Sequence, residues 1–171
     1  MKTSLDQLEK REIREHLVKC WMTHDAMWVY NCLQAFGIEK TNQINIAAVR
    51  GMAAIEIHRA AKLLGFEKKK VDTFDEFVSL FEGIFQVATA DFMAFEYAIP
   101  EKNVVQWKMN RCFAYDGMTQ MGAIDGYQCG ILERIKAWYD GLGVSYTMDP
   151  EIKGCLMHTH GACRGEFRTK L

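Results

Sequence analysis

An α+β fold in a single domain is what this sequence predicts, and three observations carry the prediction. The first half spaces its apolar residues as helices do, the stretch beginning at Val104 alternates apolar with polar residues, and a helical stripe then separates that stretch from a strand-like tail. The predicted architecture is a set of N-terminal helices packed on an antiparallel sheet of two hairpins, about 90–113 and 144–169, with a long helix between them. One domain of 171 residues accommodates this, helical over about 1–89 and sheet plus helix over about 90–171.

Residues 4–20 place Leu5, Leu8, Ile13, Leu17 and Val18 among dense charge, the pattern of an amphipathic outer helix. Thr23 is a candidate cap for a second helix that stops at Gly37. A third helix covers 39–64 and ends at Gly65. Thr73 and Glu76 have capping-box spacing ahead of a fourth, which runs to about Ala88. Aromatic residues dominate "ADFMAFEYAI", and Pro100 to Asn103 form a turn. In "VVQWKMNRCF", Val105, Trp107, Met109 and Phe113 then share one face and Gln106, Lys108 and Asn110 the other, so the two runs read as a β-hairpin. A helix over about 124–139 follows, with Ile131, Ile135 and Trp138 on one stripe, ended by Gly141 and Gly143.

The composition narrows the function classes. The net charge is −1 with acidic and basic residues intermixed, which offers neither a basic stripe for nucleic acid nor a polybasic membrane anchor. Apolar runs fall far short of a membrane span, and the charged start "MKTSLDQLEKREIREHL" predicts no signal peptide. The expected compartment is the cytoplasm, where reducing conditions argue against structural disulfides among the six cysteines. Cys20 and Cys32 sit among apolar helical neighbours and read as core.

The stretch "GCLMHTHGACRGEF", Gly154–Phe167, is the richest in metal-binding residue types. If the tail folds back about Thr159, Cys155 lies opposite Cys163. Cys155, Met157, Cys163 and Phe167 then share a face, and Arg164, Glu166 and Arg168 share the other. The charges mark the second face as outward, so the thiols point in, His158 points out and His160 lies in the loop. An inward thiol pair has three readings: small core residues, half of a metal site, or a redox disulfide. Cys129, near the start of the long helix where the dipole favours a thiolate, and Cys112 are the candidates to complete a metal site. Strict alternation puts Cys112 on the polar face of its strand, so it joins only if the strand ends or bulges at Asn110–Arg111. No C-x-x-C pair is present.

A second candidate site lies on the helical side. "MTHDAMWVY" places His24 and Asp25 at a predicted helix opening, with Trp28 one turn on, and capping alone accounts for Asp25 there. Asn45, Met52, Glu56 and Arg59 share a face of the next helix. That face is either a solvated strip holding a Glu–Arg pair or a polar wall of a cavity in which Arg59 grips a carboxylate bidentately. No nucleophile elbow, phosphate-binding glycine loop or H-E-x-x-H is present.

Several segments together resemble the family of L-2-amino-thiazoline-4-carboxylic acid hydrolases. These are "HDAMW", "FGIEKTNQIN", the helix bearing Glu56 and Arg59, "RC" at Arg111–Cys112, "YQC" at Tyr127–Cys129, "MDPEIKGC" and "CRGEF". That family is related in turn to the vinyl-reductase-like, hydrocarbon-binding domains, α+β ligand binders with a zinc held largely by cysteines near the C-terminal sheet. The resemblance implies zinc on Cys129, Cys155 and Cys163, with Cys112 shared with the nearer family. The carboxylate ligand of the sensor domains falls near Ile152, which cannot coordinate, so Cys112 or Glu151 takes its place or the site is lost. The loop "LMHTHGA" also departs from the Cys-Pro-rich loop of the nearer relatives.

Two functions compete. The first is a small-molecule-binding domain with a structural cysteine–metal site, its ligand carboxylate-bearing or apolar, and His24, Trp28, Asn45, Glu56 and Arg59 around it. The alternative is a metal-assisted hydrolase of C–N bonds in a small cyclic amide or amidine, which needs an open coordination position. No catalytic base stands beside the cysteines in sequence, which favours binding. The resemblance also implies a homodimer.

Overall fold

The computed structural model describes residues 4–171 and has the α+β architecture, helices first and one four-stranded antiparallel sheet after them. Helix α1 spans Lys10–Leu63 and is broken at Gly37, whose φ of 73° and ψ of 174° are not helical. That backbone region is open essentially to glycine alone, and it divides α1 into two arms, 10–36 and 38–63. Trp21, Asp25 and Cys32 of the first arm and Thr41, Val49 and Met52 of the second wall one common space, as in an antiparallel helical hairpin. The predicted break between residues 20 and 23 does not occur. The Thr23 hydroxyl donates to the Lys19 carbonyl at 2.8 Å, so it is satisfied inside a continuing helix instead of capping a new one. Cys32 is buried as expected, but Cys20 is exposed, on the outer side of the first arm.

Helix α2 spans Phe74–Ala88 and buries Phe74, Phe77, Leu80, Phe81, Ile84 and Phe85 along one stripe. Thr73 caps it by accepting the Glu76 N–H at 3.2 Å. The Glu76 carboxylate accepts from the Asp72 N–H at 2.9 Å, one residue earlier than a full capping box requires.

Strands β1 (Phe95–Glu101) and β2 (Val104–Met109) form the first hairpin, turning at Asn103, whose φ is 66°. Val105, Trp107 and Met109 are buried and Gln106 and Lys108 exposed, the alternation expected. The strand stops at Met109, and the chain enters helix α3 (Phe113–Gln120), which the sequence pattern did not announce. The helix expected over 124–139 is a short 3-10 turn followed by α4 (Gly130–Gly141). Asn42 explains the shift. Its side-chain nitrogen donates to the Gly126 carbonyl at 2.8 Å and its oxygen accepts the Gln128 N–H at 3.1 Å, so those backbone groups are taken and the helix starts beyond them.

Strands β3 (Tyr146–Asp149) and β4 (Cys163–Thr169) form the second hairpin, and the sheet order is β1-β2-β4-β3. The two strands are joined through helix α5, Leu156–His160. Cys155 and Cys163 are therefore not cross-strand partners. Cys163 pairs with Met109 of β2, and both edges of β4 are used by β2 and β3, which leaves none for residues 155–158. The face assignment within β4 holds: Cys163 and Phe167 are buried, Arg164 and Arg168 exposed.

The inner face of the sheet, α2, α4 and the second arm of α1 enclose the main core. Phe77, Ile57 and Tyr139 are fully buried, and Tyr139 lies between Phe77 at 5.0 Å and Phe167 at 4.8 Å, ring centre to ring centre. Burying an apolar side chain such as Ile57 or Phe77 is worth about 1.5–3 kcal/mol. α4 lies along the second arm, with Gly130 against Asn45 and Gly141 against Ile57. No helix among the described residues is long and apolar enough to cross a membrane.

Candidate functional site

Where the α1 hairpin meets the rest of the molecule, a cavity of about 170 Å³ remains. Both arms of α1 wall it, together with the end of α2, β1, β2, α3 and α4. The lining is mostly apolar and rich in flexible side chains, including Met22, Met52, Met93, Met109, Met118 and Met121. Unbranched thioethers adapt their shape to irregular spaces. A second space of about 350 Å³ lies between the arms and shares Trp21, Asp25, Val29, Asn45, Val49 and Met52 with the first.

One end of the cavity is polar. Arg134 of α4 lines it, donating through Nε to Glu56 at 2.8 Å and through a second nitrogen to the other Glu56 oxygen. The Trp138 indole N–H donates to the same carboxylate at 2.9 Å. The guanidinium also stacks against Trp21 at 4.7 Å and Trp138 at 5.1 Å. A bidentate pair between two indoles holds Arg134 in one orientation. Asp25 and Asn45 complete this end. Burial raises the Asp25 carboxyl above the usual carboxylate range, although the charges of His24 and Arg134 pull it down.

The sequence-predicted residues are distributed unevenly about this space. Asn45 lines both cavities and Trp28 the outer one, while Glu56 lies behind the wall as the acceptor for Arg134 and Trp138. His24 is exposed and accepts the Trp28 indole N–H at 3.2 Å, with Asp25 at 3.8 Å. Arg59 is exposed and is not among the cavity-lining residues. The stripe buried at its level of α1 is Ala53, Ile57, Ala60 and Ala61, and Arg59 points away from it. Its expected role as a carboxylate clamp loses its geometric basis. Arg134 stands where a cationic wall residue was sought. It was legible as a charge on the Ile131–Ile135–Trp138 stripe, the buried side of its helix. Asp25, expected as a cap, sits inside an unbroken helix and therefore caps nothing.

The cysteines form the second candidate. Cys112, Cys129 and Cys155 are the N-caps of α3, α4 and α5, and Cys163 opens β4. Cys112 escapes the polar face of its strand because β2 ends at Met109, and its sulfur accepts the Tyr115 N–H at 3.5 Å. All four are free thiols, and Cys112, Cys155 and Cys163 are buried. Burial pushes the Cys112 thiol up, and pushes Cys129 and Cys163 up to about 12. Cys163 feels the charge of the other three, and Cys129 that of Cys112 and Cys155, so the four sulfurs lie within electrostatic range of one another. In donor chemistry the set fits a soft divalent ion such as zinc. In geometry, no group of three or more His, Cys, Asp or Glu side chains among the described residues is arranged to hold an ion.

The neighbours of the thiols are otherwise engaged. His158 pairs with Asp125 at 2.9 Å and His160 with the Thr159 hydroxyl at 2.7 Å, while the exposed Glu151 pairs with Lys153 at 3.4 Å. Of the two substitutes that the sequence resemblance leaves open, Cys112 is buried within electrostatic range of the other thiols and Glu151 is exposed. Tyr127 connects the two candidate sites: it lines the cavity, its hydroxyl accepts the Gly130 N–H at 3.2 Å, and burial beside the thiols raises its pKa. Comparison with protein-family models, with curated proteins and with solved structures gives no match for this chain.

Proposed function

We propose that the protein is a small-molecule-binding domain whose ligand places an apolar body in the cavity between the α1 hairpin and α4, and whose four cysteines form a metal-bracing cluster. The observation that carries the reading is the cavity itself. It is walled by both helical arms, by α2, α3 and α4 and by two strands, it is lined by methionines and aromatic rings, and its two charged side chains, Asp25 and Arg134, lie within electrostatic range of each other. Such concave, largely apolar spaces with a small convergent polar set are the usual form of ligand sites.

The metal part of the reading rests on the placement of the thiols. A zinc ion drawing Cys112, Cys129, Cys155 and Cys163 together would tie the starts of α3, α4 and α5 to β4. Tyr127 and the first turn of α4, which wall the cavity, would be fixed with them. Four thiolates would close the coordination sphere and leave the metal structural. The alternative, a metal-assisted hydrolase like the thiazoline-ring openers that the sequence resembles, needs an open position beside a proton acceptor. His158 and His160 are held by other partners, so the arrangement favours binding.

The cavity is tested by titration with Nile red, a neutral apolar fluorophore. Saturable binding is expected, and Val49→Trp, which fills the wall shared by both spaces, should abolish it while the circular dichroism spectrum is retained. Absence of saturable binding to the unaltered protein overturns the reading. For the metal, elemental analysis of reduced protein purified without chelator should return one zinc per chain, and a value near zero removes zinc from the proposal.

A further inference from the structure

The polar end of the cavity carries more negative charge than positive. Arg134 is its one guanidinium, and that charge is paired by the bidentate contact with Glu56, with the Trp21 and Trp138 rings 4.7 and 5.1 Å from the group. Asp25 is left over. It lines both spaces and is about half exposed at their shared wall, with the exposed His24 ring 3.8 Å away. Asn45, opposite on the second arm, is neutral. A carboxylate ligand would therefore meet an arginine that is already paired and an aspartate that repels it. A ligand with a positively charged nitrogen would meet a carboxylate that Arg134 and His24 stabilise only in part, at the rim of an apolar chamber where screening by water is reduced.

We propose that the cavity selects amphiphilic amines: an apolar body lies among the methionines and aromatic rings, and a protonated nitrogen sits at the shared wall against the Asp25 carboxylate, with the Asn45 amide oxygen as a second acceptor. This rests on the binding-domain reading and names the class of ligand for it. The rise in the Asp25 pKa that burial causes has the same origin, since Arg134 and His24 nearby do not fully offset the lost hydration. Arg134 marks the chamber as one that already accommodates a cation beside indole rings. Its fixed pairing keeps it from competing for Asp25.

The test is a matched series, octylamine, octanol and octanoate, titrated at neutral pH and followed by tryptophan fluorescence and calorimetry. Trp21 and Trp138 line the cavity and report occupancy. Octylamine should bind at least about tenfold more tightly than octanol, as expected for one charge-assisted hydrogen bond, and octanoate more weakly than either. Asp25→Asn should bring the octylamine-to-octanol affinity ratio close to one. Octanoate binding best, or an amine preference that survives Asp25→Asn in a folded variant, overturns the proposal. If that variant does not fold, the ranking of the three probes on the unaltered protein decides alone. Binding of octanol without any preference for the amine refutes the ligand class and leaves the cavity reading standing. Failure of all three probes to bind overturns both.

Discussion

Replacing Glu56 by alanine probes the centre of the site. The carboxylate holds Arg134 through two hydrogen bonds and accepts a third from the Trp138 indole, and the paired side chains are only 14% and 19% exposed. Breaking a buried ion pair by removing one partner costs about 3–5 kcal/mol, because the remaining charge stays desolvated. Partial exposure moves the value toward the lower end, and the orphaned indole N–H adds about 1 kcal/mol. The expected loss is about 3–4 kcal/mol, or about 10 °C in midpoint at the usual conversion for a domain of this size. Urea unfolding followed by circular dichroism measures it. Arg59→Ala, an exposed change on the same helix, should stay within about 0.5 kcal/mol and serves as the control. The double variant Glu56→Leu with Arg134→Met should be less destabilised than Glu56→Ala, since it removes both charges and retains volume. An effect of Glu56→Ala no larger than that of Arg59→Ala would refute the buried-pair argument.

Three further outcomes follow from the geometry. An added Cβ at Gly165 would lie 2.4 Å from the Asp149 carbonyl oxygen and 2.7 Å from Trp107. Gly165→Ala should therefore cost about 2–3 kcal/mol in urea unfolding, and a neutral effect would contradict this packing of β4 on β3. Gly37→Ala forces a side chain onto a φ of 73° and should lose about 2 kcal/mol. Gly51→Ala, mid-helix with open space around it, should instead gain about 0.5–1 kcal/mol, so equal effects at the two glycines would discredit the hinge. Cys129 and Cys163 are each pushed up to about 12, so in alkali the unfolded chain releases their protons first. The stability they contribute is complete below about pH 8.5 and is lost as pH rises toward 12, at up to about 1.4 kcal/mol per pH unit for each group. Denaturant midpoints of metal-free protein that stay level from pH 8 to 10.5 would contradict the burial of these groups.

The fold class, both hairpins and the inward side of β2 and β4 were legible because each rests on local periodicity. Val105, Trp107 and Met109 alternate with charged or polar neighbours, and nothing distant overrides that pattern. The features that escaped depend on contacts across the chain. Asn42 sets the start of α4 from more than eighty positions away, and no local signal at Gly126–Gln128 reveals that its backbone is taken. The pairing of Cys163 with Met109 likewise reflects a strand order that two separate hairpins do not dictate. In the candidate site, Asn45 and Glu56 were found because they share an inward face. Arg59 was included with them because helical spacing gives direction but not what lies opposite. Arg134 was passed over as one more charge in "GILERIKAWYDG", although its place on an apolar stripe was the available sign.

The position of β4 bears on how the molecule is made. The strand that joins β2 to β3 is formed by residues 163–169, so during synthesis the first hairpin emerges long before its neighbour exists. Until residue 169 has cleared the ribosome, one side of β2 has unpaired backbone groups and Tyr139 has no Phe167 to stack against it. The pairings that complete the sheet are therefore the last to become available, a non-local step that follows the synthesis of the helices. A chain cut just before residue 163 would not be a slightly shorter version of the domain. It would be the β1–β2 hairpin and a lone β3, with the strand that joins them missing.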